Sequence, residues 1–474
     1  MIRAVLALAL VGCGARTGGT PPAGPDGTAD APRADILRLD LRRMDAPVAP
    51  AGWARSAGGD KVDWGWDIAV DPAGNAYVTG HFAGTAFFGP HSLWSKGSSD
   101  IFVAKLGPDG SWLWAVSAGG LGDDKGCGVA LDTSGNVVVT GLFHDKLAVG
   151  GTTLGSKGSS DVFVASYTPD GHPLWAVRGG GPGSDWGWQV HSDGKGGTFL
   201  CGKYNGQATF GSIVLPAIAG DEAFVARLDP TGSFSWAKGA GWYGGESAWG
   251  VTSDGMGHAV ATGRFEWTVD FGSITLGSAG GEDIFLAKYA PGGAVLWAVS
   301  AGGNGQDWGW AVAPDGTGGV YLTGFFEGLG HFGSTNLESK GGGDLFVTRH
   351  SAAGKQMWVA TAGGPKLDRG YDVLADGTGA VVVGYFAEQI QFGGAPLASK
   401  GDWDLFVARL GATGQWDWAI SAGGPGHDRP AAAAMGPGRA LYLTGQYAGS
   451  SSFGTTQLTA KGPEDAFIWK LALP

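Results

Sequence analysis

Residues 53–82 read WARSAGGDKVDWGWDIAVDPAGNAYVTGHF, and similar stretches recur through the rest of the chain. The opening tryptophan returns after 61 residues five times and after 60 once, at Trp53, Trp114, Trp175, Trp236, Trp297, Trp358 and Trp418. The copies continue roughly as F-G-x-x-x-L-x-S-K-G and then D-x-F-V-A-K-L-x-P-x-G. A repeat of this kind indicates one structural unit used many times, so it takes precedence over a domain count based on length.

Each copy is predicted to hold four short β-strands. In the first copy these are residues 53–57, 64–70, 76–82 and 101–106, with a smaller hairpin between 83 and 99. The sequences D-P-A-G-N and P-D-G that separate the strands are typical of turns. Since no segment has a convincing helical period, the fold class is all-β.

The second strand of each copy indicates how the copies pack. Side chains alternate between the two faces of a strand. In the first copy one face would carry Trp66, Ile68 and Val70, and the other would carry Gly65, Asp67 and Ala69. A sheet that is bulky on one face and small on the other packs against a copy of itself. Seven copies around an axis predict a seven-bladed β-propeller with four-stranded blades of about 61 residues.

The two ends of the repeat array predict how the ring closes. The array begins with the strand at Trp53 and ends after the strand at Phe467, so the last blade lacks one strand. We expect the N-terminal strand to complete that blade, which would remove the free edges. The alternative is an open solenoid, but no capping repeat is visible.

The copies resemble the bacterial β-propeller repeat called SBBP. The motifs that carry the resemblance are D-x-x-G-x-x-Y-V-T-G and D-x-F-V-A-K, and they extend over about 420 residues. The resemblance implies a propeller outside the cytoplasm and implies nothing about chemistry.

The N-terminus predicts export and a lipid anchor. Residues 4–12 form an apolar run of nine, which suits the central part of a secretory signal and is too short to span a bilayer, which needs about 20 residues. The sequence Leu10-Val11-Gly12-Cys13 resembles the lipobox of bacterial lipoproteins. That resemblance implies cleavage before Cys13, acylation of Cys13 by palmitate and other acyl chains, and, because Gly14 follows, sorting to the outer membrane of the cell envelope. The alternative is an ordinary signal peptide with a chance cysteine.

Three segments follow from this interpretation: a lipoprotein signal peptide at 1–12, a lipidated cysteine with a flexible Gly/Pro-rich tether at 13–35, and the propeller at 36–474. The net charge of −12 and the pI near 5.1 argue against a nucleic-acid partner. Three cysteines are too few for a disulfide framework. Cys127 and Cys201 replace core residue types, so we expect buried free thiols. We expect a monomer without a cofactor.

Acidic residues recur at two positions of the repeat. The first position, ten residues into each copy, holds Asp63, Asp124, Asp185, Glu246, Asp307, Asp368 and Asp428. The second position, just before the last strand, holds Asp100, Asp161, Glu222, Asp283, Asp344, Asp404 and Asp465. We expect backbone N–H groups in turns to hold these carboxylates, or else the basic residues five positions after the second acid: Lys105, Arg227, Lys288, Arg349, Arg409 and Lys470. A cation in the central tunnel is the alternative.

The residue after the first acid varies from copy to copy, and it is the candidate binding site. Trp64, Trp186 and Trp308 occur there in alternate copies, and Lys125, Arg369 and Arg429 occur in three others. Tryptophan faces stack on sugars or cations, and basic side chains hold anionic groups. The alternative is that the tryptophans pack between blades. The fourth copy departs most from the repeat, with Trp242-Tyr243 in place of a glycine step.

The sequence favours binding over catalysis. It contains no G-x-S-x-G elbow, H-E-x-x-H motif, phosphate loop or EF-hand loop, and no metal site is predicted. Acids are found only at repeated positions, whereas an enzyme needs unique ones. We therefore expect a module that binds a glycan, a peptide or an envelope protein. The alternatives are a polysaccharide hydrolase or lyase acting in the axial funnel and a purely structural envelope protein.

Overall fold

The computed structural model describes residues 52–218, 220–394 and 396–473. Within these residues the secondary structure comprises β-strands and one 3₁₀-helix at Pro437–Arg439, so the all-β prediction is confirmed. No helix in the described part of the chain has the length and apolar character to cross a membrane. The predicted signal peptide, Cys13 and the tether lie outside the described residues.

The strands form seven four-stranded antiparallel units, which we call sets one to seven. The innermost strands of sets one to seven are, in order, β2 (Asp63–Val70), β8 (Lys125–Leu131), β14 (Trp186–Ser192), β20 (Ser247–Ser253), β24 (Trp308–Pro314), β30 (Asp368–Ala375) and β36 (Asp428–Met435). Each of these strands contacts the innermost strand of the next set, and β36 contacts β2, so the innermost strands form a closed ring. This arrangement is a β-propeller.

Three further strands pair outward in each set. The second strands are β3 (Ala76–Phe82), β9 (Val137–Phe143), β15 (Thr198–Asn205), β21 (Ala259–Asp270), β25 (Val320–Phe326), β31 (Gly379–Phe386) and β37 (Ala440–Tyr447). The third strands are β6 (Asp100–Leu106), β12 (Asp161–Tyr167), β18 (Asp221–Leu228), β22 (Thr275–Tyr289), β28 (Asp344–His350), β34 (Asp404–Gly411) and β40 (Asp465–Ala472). The outermost strands are β7 (Trp112–Ala118), β13 (Pro173–Gly180), β19 (Phe234–Trp242), β23 (Val295–Gly303), β29 (Gln356–Ala362), β35 (Trp416–Ala422) and β1 (Gly52–Gly59).

Each outermost strand comes from the following copy of the repeat, and set seven therefore takes its outermost strand from the N-terminus. Strand β1 pairs antiparallel with β40, with Gly52 opposite Leu471 and Ala57 opposite Ala466. The prediction that the N-terminal strand completes the last four-stranded unit is confirmed. The open-solenoid alternative is wrong.

The predicted smaller hairpins are also present. In six copies they are separate pairs of short strands: β4 (Thr85–Phe88) with β5 (His91–Trp94), β10 (Lys146–Val149) with β11 (Thr152–Gly155), β16 (Ala208–Phe210) with β17 (Ile213–Leu215), β26 (Leu329–Phe332) with β27 (Thr335–Glu338), β32 (Gln389–Ile390) with β33 (Leu397–Ala398), and β38 (Ser450–Phe453) with β39 (Thr456–Thr459). In the fourth copy the hairpin is continuous with the long strands β21 and β22.

The expectation of seven separate sheets needs a correction. Only sets one, five and six are separate four-stranded sheets. Sets two and seven extend to six strands, and sets three and four merge into one sheet of ten. The reason is that the last two residues of an outermost strand pair with the neighbouring hairpin, through a Gly-Gly step in sets two and seven and through Gly241 and Trp242 in set three. Gly58 and Gly59, for example, pair with Phe87 and Ala86 of the hairpin. Gly58 has a φ of 157°, which favours glycine.

The repeated tryptophan ties each set to the next. The indole Nε1 of Trp53 in set seven donates to the carbonyl of Pro108 in set one, at 3.0 Å. Gly110, in the same turn, lies against the Trp53 ring, where an added Cβ would come within 2.7 Å of the indole. Trp114, Trp175 and Trp236 repeat the contact with Pro169, Pro230 and Pro291. The spacing of about 61 residues therefore reflects one packing contact between neighbouring sets.

Candidate functional site

A β-bulge interrupts the middle of every innermost strand. The pairing register skips one residue in each set, leaving unpaired Trp66, Cys127, Trp188, Trp249, Trp310, Tyr371 and Ala431. A bulge redirects the side chain that it carries, and all seven residues line one pocket. Because every set contributes one residue, we call it the axial pocket. The predicted simple alternation of Trp66 with its neighbours is wrong, because the bulge breaks the period of two at this residue.

The aromatic residues form an incomplete circle around the axial pocket. Trp310 lies between Trp249 and Tyr371 and stacks on both, with ring centroids 4.4 Å and 4.9 Å away and interplanar angles of 18° and 14°. Two sets lack an aromatic residue here. Set two contributes Cys127, where the rings of Trp66 and Trp188 still meet at 6.4 Å. Set seven contributes Ala431, between Tyr371 of set six and Trp66 of set one. We call this opening the set-seven gap.

The residue after each bulge adds polar groups to the pocket. The seven residues are Asp67, Gly128, Gln189, Gly250, Ala311, Asp372 and Ala432. The three polar ones each accept a hydrogen bond from a backbone N–H of the next set, and each bond is 2.8 Å long. The donors are Val129 for Asp67, Val251 for Gln189 and Ala433 for Asp372. These side chains therefore join neighbouring sets as well as lining the pocket.

Both axial carboxyls have raised pKa values. Burial raises the pKa of Asp67 to about 8, and the charge of Asp372 adds to the effect, while hydrogen bonds from the N–H groups of Val129 and Ile68 oppose it. Burial raises the pKa of Asp372 to about 7. Two negative charges that interact in a poorly hydrated pocket are unfavourable unless a cation compensates them.

The two axial aspartates correct the expectation that acids occur only at repeated positions. Asp67 and Asp372 occupy a position where the other copies carry Gly, Gln or Ala. Aligning the seven copies at this position would have shown the difference. The alternation pattern instead placed Asp67 among small residues on a packing face.

The predicted site tryptophans lie half-buried beside the axial aromatic residues. Trp64 is centred 5.5 Å from Trp66, Trp186 lies 5.0 Å from Trp188, and Trp308 lies 5.7 Å from Trp310. Each indole Nε1 donates to the preceding set, namely to Glu464, to Ser160 and Ser184, and to Glu282. These contacts join neighbouring sets, while part of each ring stays accessible.

The predicted basic residues are also half-buried, and two of them lie over the same tryptophans. The Arg429 guanidinium is 5.6 Å from the Trp64 ring centre, and that of Arg369 is 5.2 Å from the Trp308 ring centre. Lys125 forms an ion pair with Asp123 at 3.2 Å. We call these six predicted residues the rim. The structure brings together two pairs of rim residues, Arg429 with Trp64 and Arg369 with Trp308. Lys125 and Trp186 take no part in either of these two contacts.

The aromatic pair of the fourth copy lies on the surface. Trp242 is 48% exposed and Tyr243 is 71% exposed, and their rings meet edge to face at 5.8 Å. Neither residue lines the axial pocket.

The repeated acids are held by backbone N–H groups, as predicted. Asp63 accepts from the N–H of Gly59 at 2.7 Å, and Asp100 accepts from that of Lys96 at 3.2 Å. The equivalent bonds recur at eleven of the other twelve acids, and within the described part of the chain Glu246 of the fourth copy is the exception. Burial raises the pKa of Asp63 to about 7, and the charge of Asp465 in set seven contributes. The two kinds of acid therefore meet in pairs where neighbouring sets join.

The alternative prediction, that the repeated basic residues hold the repeated acids, is wrong. Four of them pair with the acid of the turn between the first two strands of their set. These ion pairs are Arg227–Asp193, Lys288–Asp254, Arg349–Asp315 and Arg409–Asp376. In set six, Arg409 holds the pKa of Asp376 down at about 2, against the effect of burial. The basic residues therefore stabilise turns.

The described cysteines behave as expected. Cys127 and Cys201 are buried and free, and burial raises the pKa of the Cys127 thiol to about 12. Across residues 52–218, 220–394 and 396–473, no group of three or more His, Cys, Asp or Glu residues has an arrangement that could hold a metal ion.

Comparison with protein families supports the type of repeat. Residues 53–81 match a family described as a beta-propeller repeat, SBBP. An uncharacterized WD repeat-containing protein of Acanthamoeba polyphaga mimivirus is 27% identical over 156 residues. The match covers 29% of this chain and 11% of that protein, so the chain spans about a tenth of the length of this relative.

Solved structures with low sequence identity also align with the chain. A protein of unknown function from Bacteroides caccae aligns at 13% identity over 63% of this chain and 82% of its own, with a TM-score of 0.31. Sqt1 from Chaetomium thermophilum aligns at 9% identity over 90% of this chain and 100% of its own, with a TM-score of 0.40.

Proposed function

We propose that this chain is a lipid-anchored binding module of the bacterial cell envelope and that its partner docks on the rim and the axial pocket. We propose further that each four-stranded set counts as one blade of a seven-bladed propeller, and the ring of seven innermost strands supports this count. The ends of such a ring present side chains from every blade to one ligand.

The observation that carries the proposal is the convergence of aromatic and charged side chains on the axial pocket. Trp66, Trp188, Trp249, Trp310 and Tyr371 come from five different sets and line the same pocket. The rim adds partly accessible tryptophans beside them. Aromatic rings and arginines are enriched where proteins bind protein partners. We therefore propose an exposed segment of another protein as the partner, with a glycan as the alternative.

Catalysis on a polysaccharide would require an axial carboxyl group to reach a glycosidic bond. Each oxygen of Asp67 accepts a backbone N–H, and one of these bonds joins set one to set two. These bonds fix the side chain as part of the scaffold. We therefore propose binding, and an architectural role in the envelope remains the alternative if no ligand is found.

The membrane anchor rests on the sequence of the N-terminus. The apolar run and the lipobox-like residues before Cys13 support acylation at that cysteine. Two or more acyl chains on one residue anchor a protein stably. We place the protein in the outer membrane because Gly14 follows Cys13.

The docking site can be tested with residues 34–474 on glycan and peptide arrays. The variant with Trp64→Ala and Trp308→Ala should lose binding to whatever the wild type selects, while Trp94→Ala serves as the control. Trp94 is 70% exposed and does not line the axial pocket. Loss of an aromatic stack costs on the order of 1 to 3 kcal/mol per ring, by analogy with nucleobase stacking.

The melting temperature of each variant must be measured alongside the arrays. If the double variant stays folded and binds unchanged, the rim is not the docking site. If its melting temperature collapses, the rim tryptophans serve the packing between sets.

A further inference from the structure

The set-seven gap is an asymmetric feature of the axial pocket. One face of the Tyr371 ring is covered by Trp310, with the two planes 14° apart. Set seven supplies only the methyl group of Ala431 to the pocket beside Tyr371. On the far side of set seven, Trp66 also lines the pocket. A flat group could therefore take the place of the aromatic ring that set seven lacks.

The two axial carboxyl groups line the same pocket, and Asp372 reaches the backbone of Ala433 in set seven while Asp67 reaches that of Val129 in set two. Asp372 belongs to set six and Asp67 to set one, and Ala432 occupies the equivalent position of set seven between them. Each carboxylate oxygen accepts one backbone N–H, at 2.7 to 2.8 Å. A carboxylate has about four acceptor positions, so each of them can accept more hydrogen bonds.

No basic side chain of the described pocket pairs with the two axial carboxyl groups. Among the described residues that line the pocket, none is Lys, Arg or His. Burial raises the pKa of both carboxyl groups, so a cation bound beside them would favour their ionised form. The indole Nε1 of Trp310, on the same pocket, is buried and lacks a hydrogen-bond partner within the described part of the chain. The described lining of the pocket therefore supplies two carboxyl groups and no cation to pair with them.

We propose that the set-seven gap binds the guanidinium group of an arginine side chain in the protein partner, between Tyr371 and Trp66 and against Asp67 and Asp372. This inference rests on the proposed function and names the side chain that the partner inserts. A guanidinium is planar, stacks on aromatic rings, and donates five N–H groups in a fork that matches carboxylates.

Other cations fit this chemistry less well. A lysine ammonium is a compact and strongly hydrated point charge that does not stack as a plane. A quaternary ammonium has no N–H group to donate to the two carboxylates. Both are therefore informative competitors of arginine.

The proposal can be tested on the full chain purified in detergent. The probe is Nα-acetyl-L-arginine amide, titrated with detection by calorimetry and by tryptophan fluorescence. The matched probes are the citrulline derivative, which has a similar shape without the charge, and the lysine derivative. We expect saturable binding of the arginine probe and at least roughly tenfold weaker binding of the other two.

Two variants test the residues of the site. The double variant Asp67→Gln and Asp372→Gln removes both carboxyl groups. Glutamine is chosen because Gln189 occupies the equivalent position of set three and makes the same bond to the next set at 2.8 Å. Ala431→Trp should fill the gap, and Ala431→Ser is the matched control that leaves it open. We expect the double variant and Ala431→Trp to lose the arginine probe and Ala431→Ser to retain it, with all melting temperatures recorded.

Two results would overturn the proposal. One is the absence of saturable binding of the arginine probe to the folded wild type up to about 10 mM. The other is unchanged binding to a folded double glutamine variant. If either occurs while the rim variant still loses its array ligand, only the arginine site is wrong and the docking site stands. If the rim variant binds normally and the arginine probe binds the gap, the proposed rim docking is wrong instead.

Discussion

The carboxylate of Asp67 in set one accepts a hydrogen bond from the backbone N–H of Val129 in set two, at 2.8 Å. The same side chain lines the axial pocket. One residue therefore both joins two sets and supplies charge to the candidate site. The bulge at Trp66 makes this possible, because it interrupts the pairing of the innermost strand just before Asp67.

The bond between Asp67 and Val129 predicts a difference between two substitutions. Asp67→Ala should destabilise the fold by about 1 to 3 kcal/mol, because it leaves a buried N–H without a partner. Asp67→Gln should cost less, since Gln189 makes the equivalent bond in set three. Unfolding in denaturant measures both values. Equal losses for the two variants would show that the bond contributes little.

The pairing of β1 with β40 predicts that the N-terminal strand is needed for stability. Deleting residues 1–60 removes this strand and exposes the edge of β40, so we expect aggregation or a large fall in melting temperature. Deleting residues 14–33 should change neither property. A stable, monomeric fragment of residues 61–474 would contradict the closure.

The buried carboxyls predict that stability falls as the pH rises above about 4. Burial raises the pKa of Asp63 to about 7 and the pKa of Glu246 and Asp368 to about 8. A carboxyl group whose pKa is raised in the folded state binds more protons in the folded than in the unfolded protein. Its contribution to stability is therefore complete below the pKa of the unfolded state, and it is lost as the pH rises through the pKa of the folded state. Asp376, with a pKa of about 2, acts in the opposite sense and loses its contribution below about pH 4.

Calorimetry at about pH 5 and about pH 8 measures this effect. We expect the higher melting temperature at the lower pH, and Glu246→Gln should reduce the difference. A melting temperature that rises between these two values would refute the assignment of raised pKa values.

The lipobox-like sequence predicts that Cys13 carries the membrane anchor. Cys13→Ala should yield an uncleaved or soluble protein, because the acyl chains have no attachment site. Fractionation of cells together with metabolic labelling by palmitate measures both outcomes. A variant that still fractionates with membranes and is processed normally would show that the lipobox interpretation is wrong.

The repeat made most of the architecture predictable. Strands 64–70, 76–82 and 101–106 were placed within one residue of those observed, since turn sequences and the period of two are local properties. The closure by the Trp53 strand followed from comparing the two ends of the array. The candidate site was predicted less well. The rim residues lie beside the axial pocket, but three of their indoles also bind the neighbouring set.

The sequence by itself determined the all-β class, the repeated unit and the partner of its first strand, because each depends on spacing along the chain. The tertiary structure alone decided which side chains meet at the axis. A bulge adds one unpaired residue to the strand and turns Trp66 into the pocket, and the alternation pattern contains no sign of it. Asp67 and Asp372 lie far apart in the chain, and only closure of the ring brings both carboxyls into one pocket, where burial shifts their pKa values.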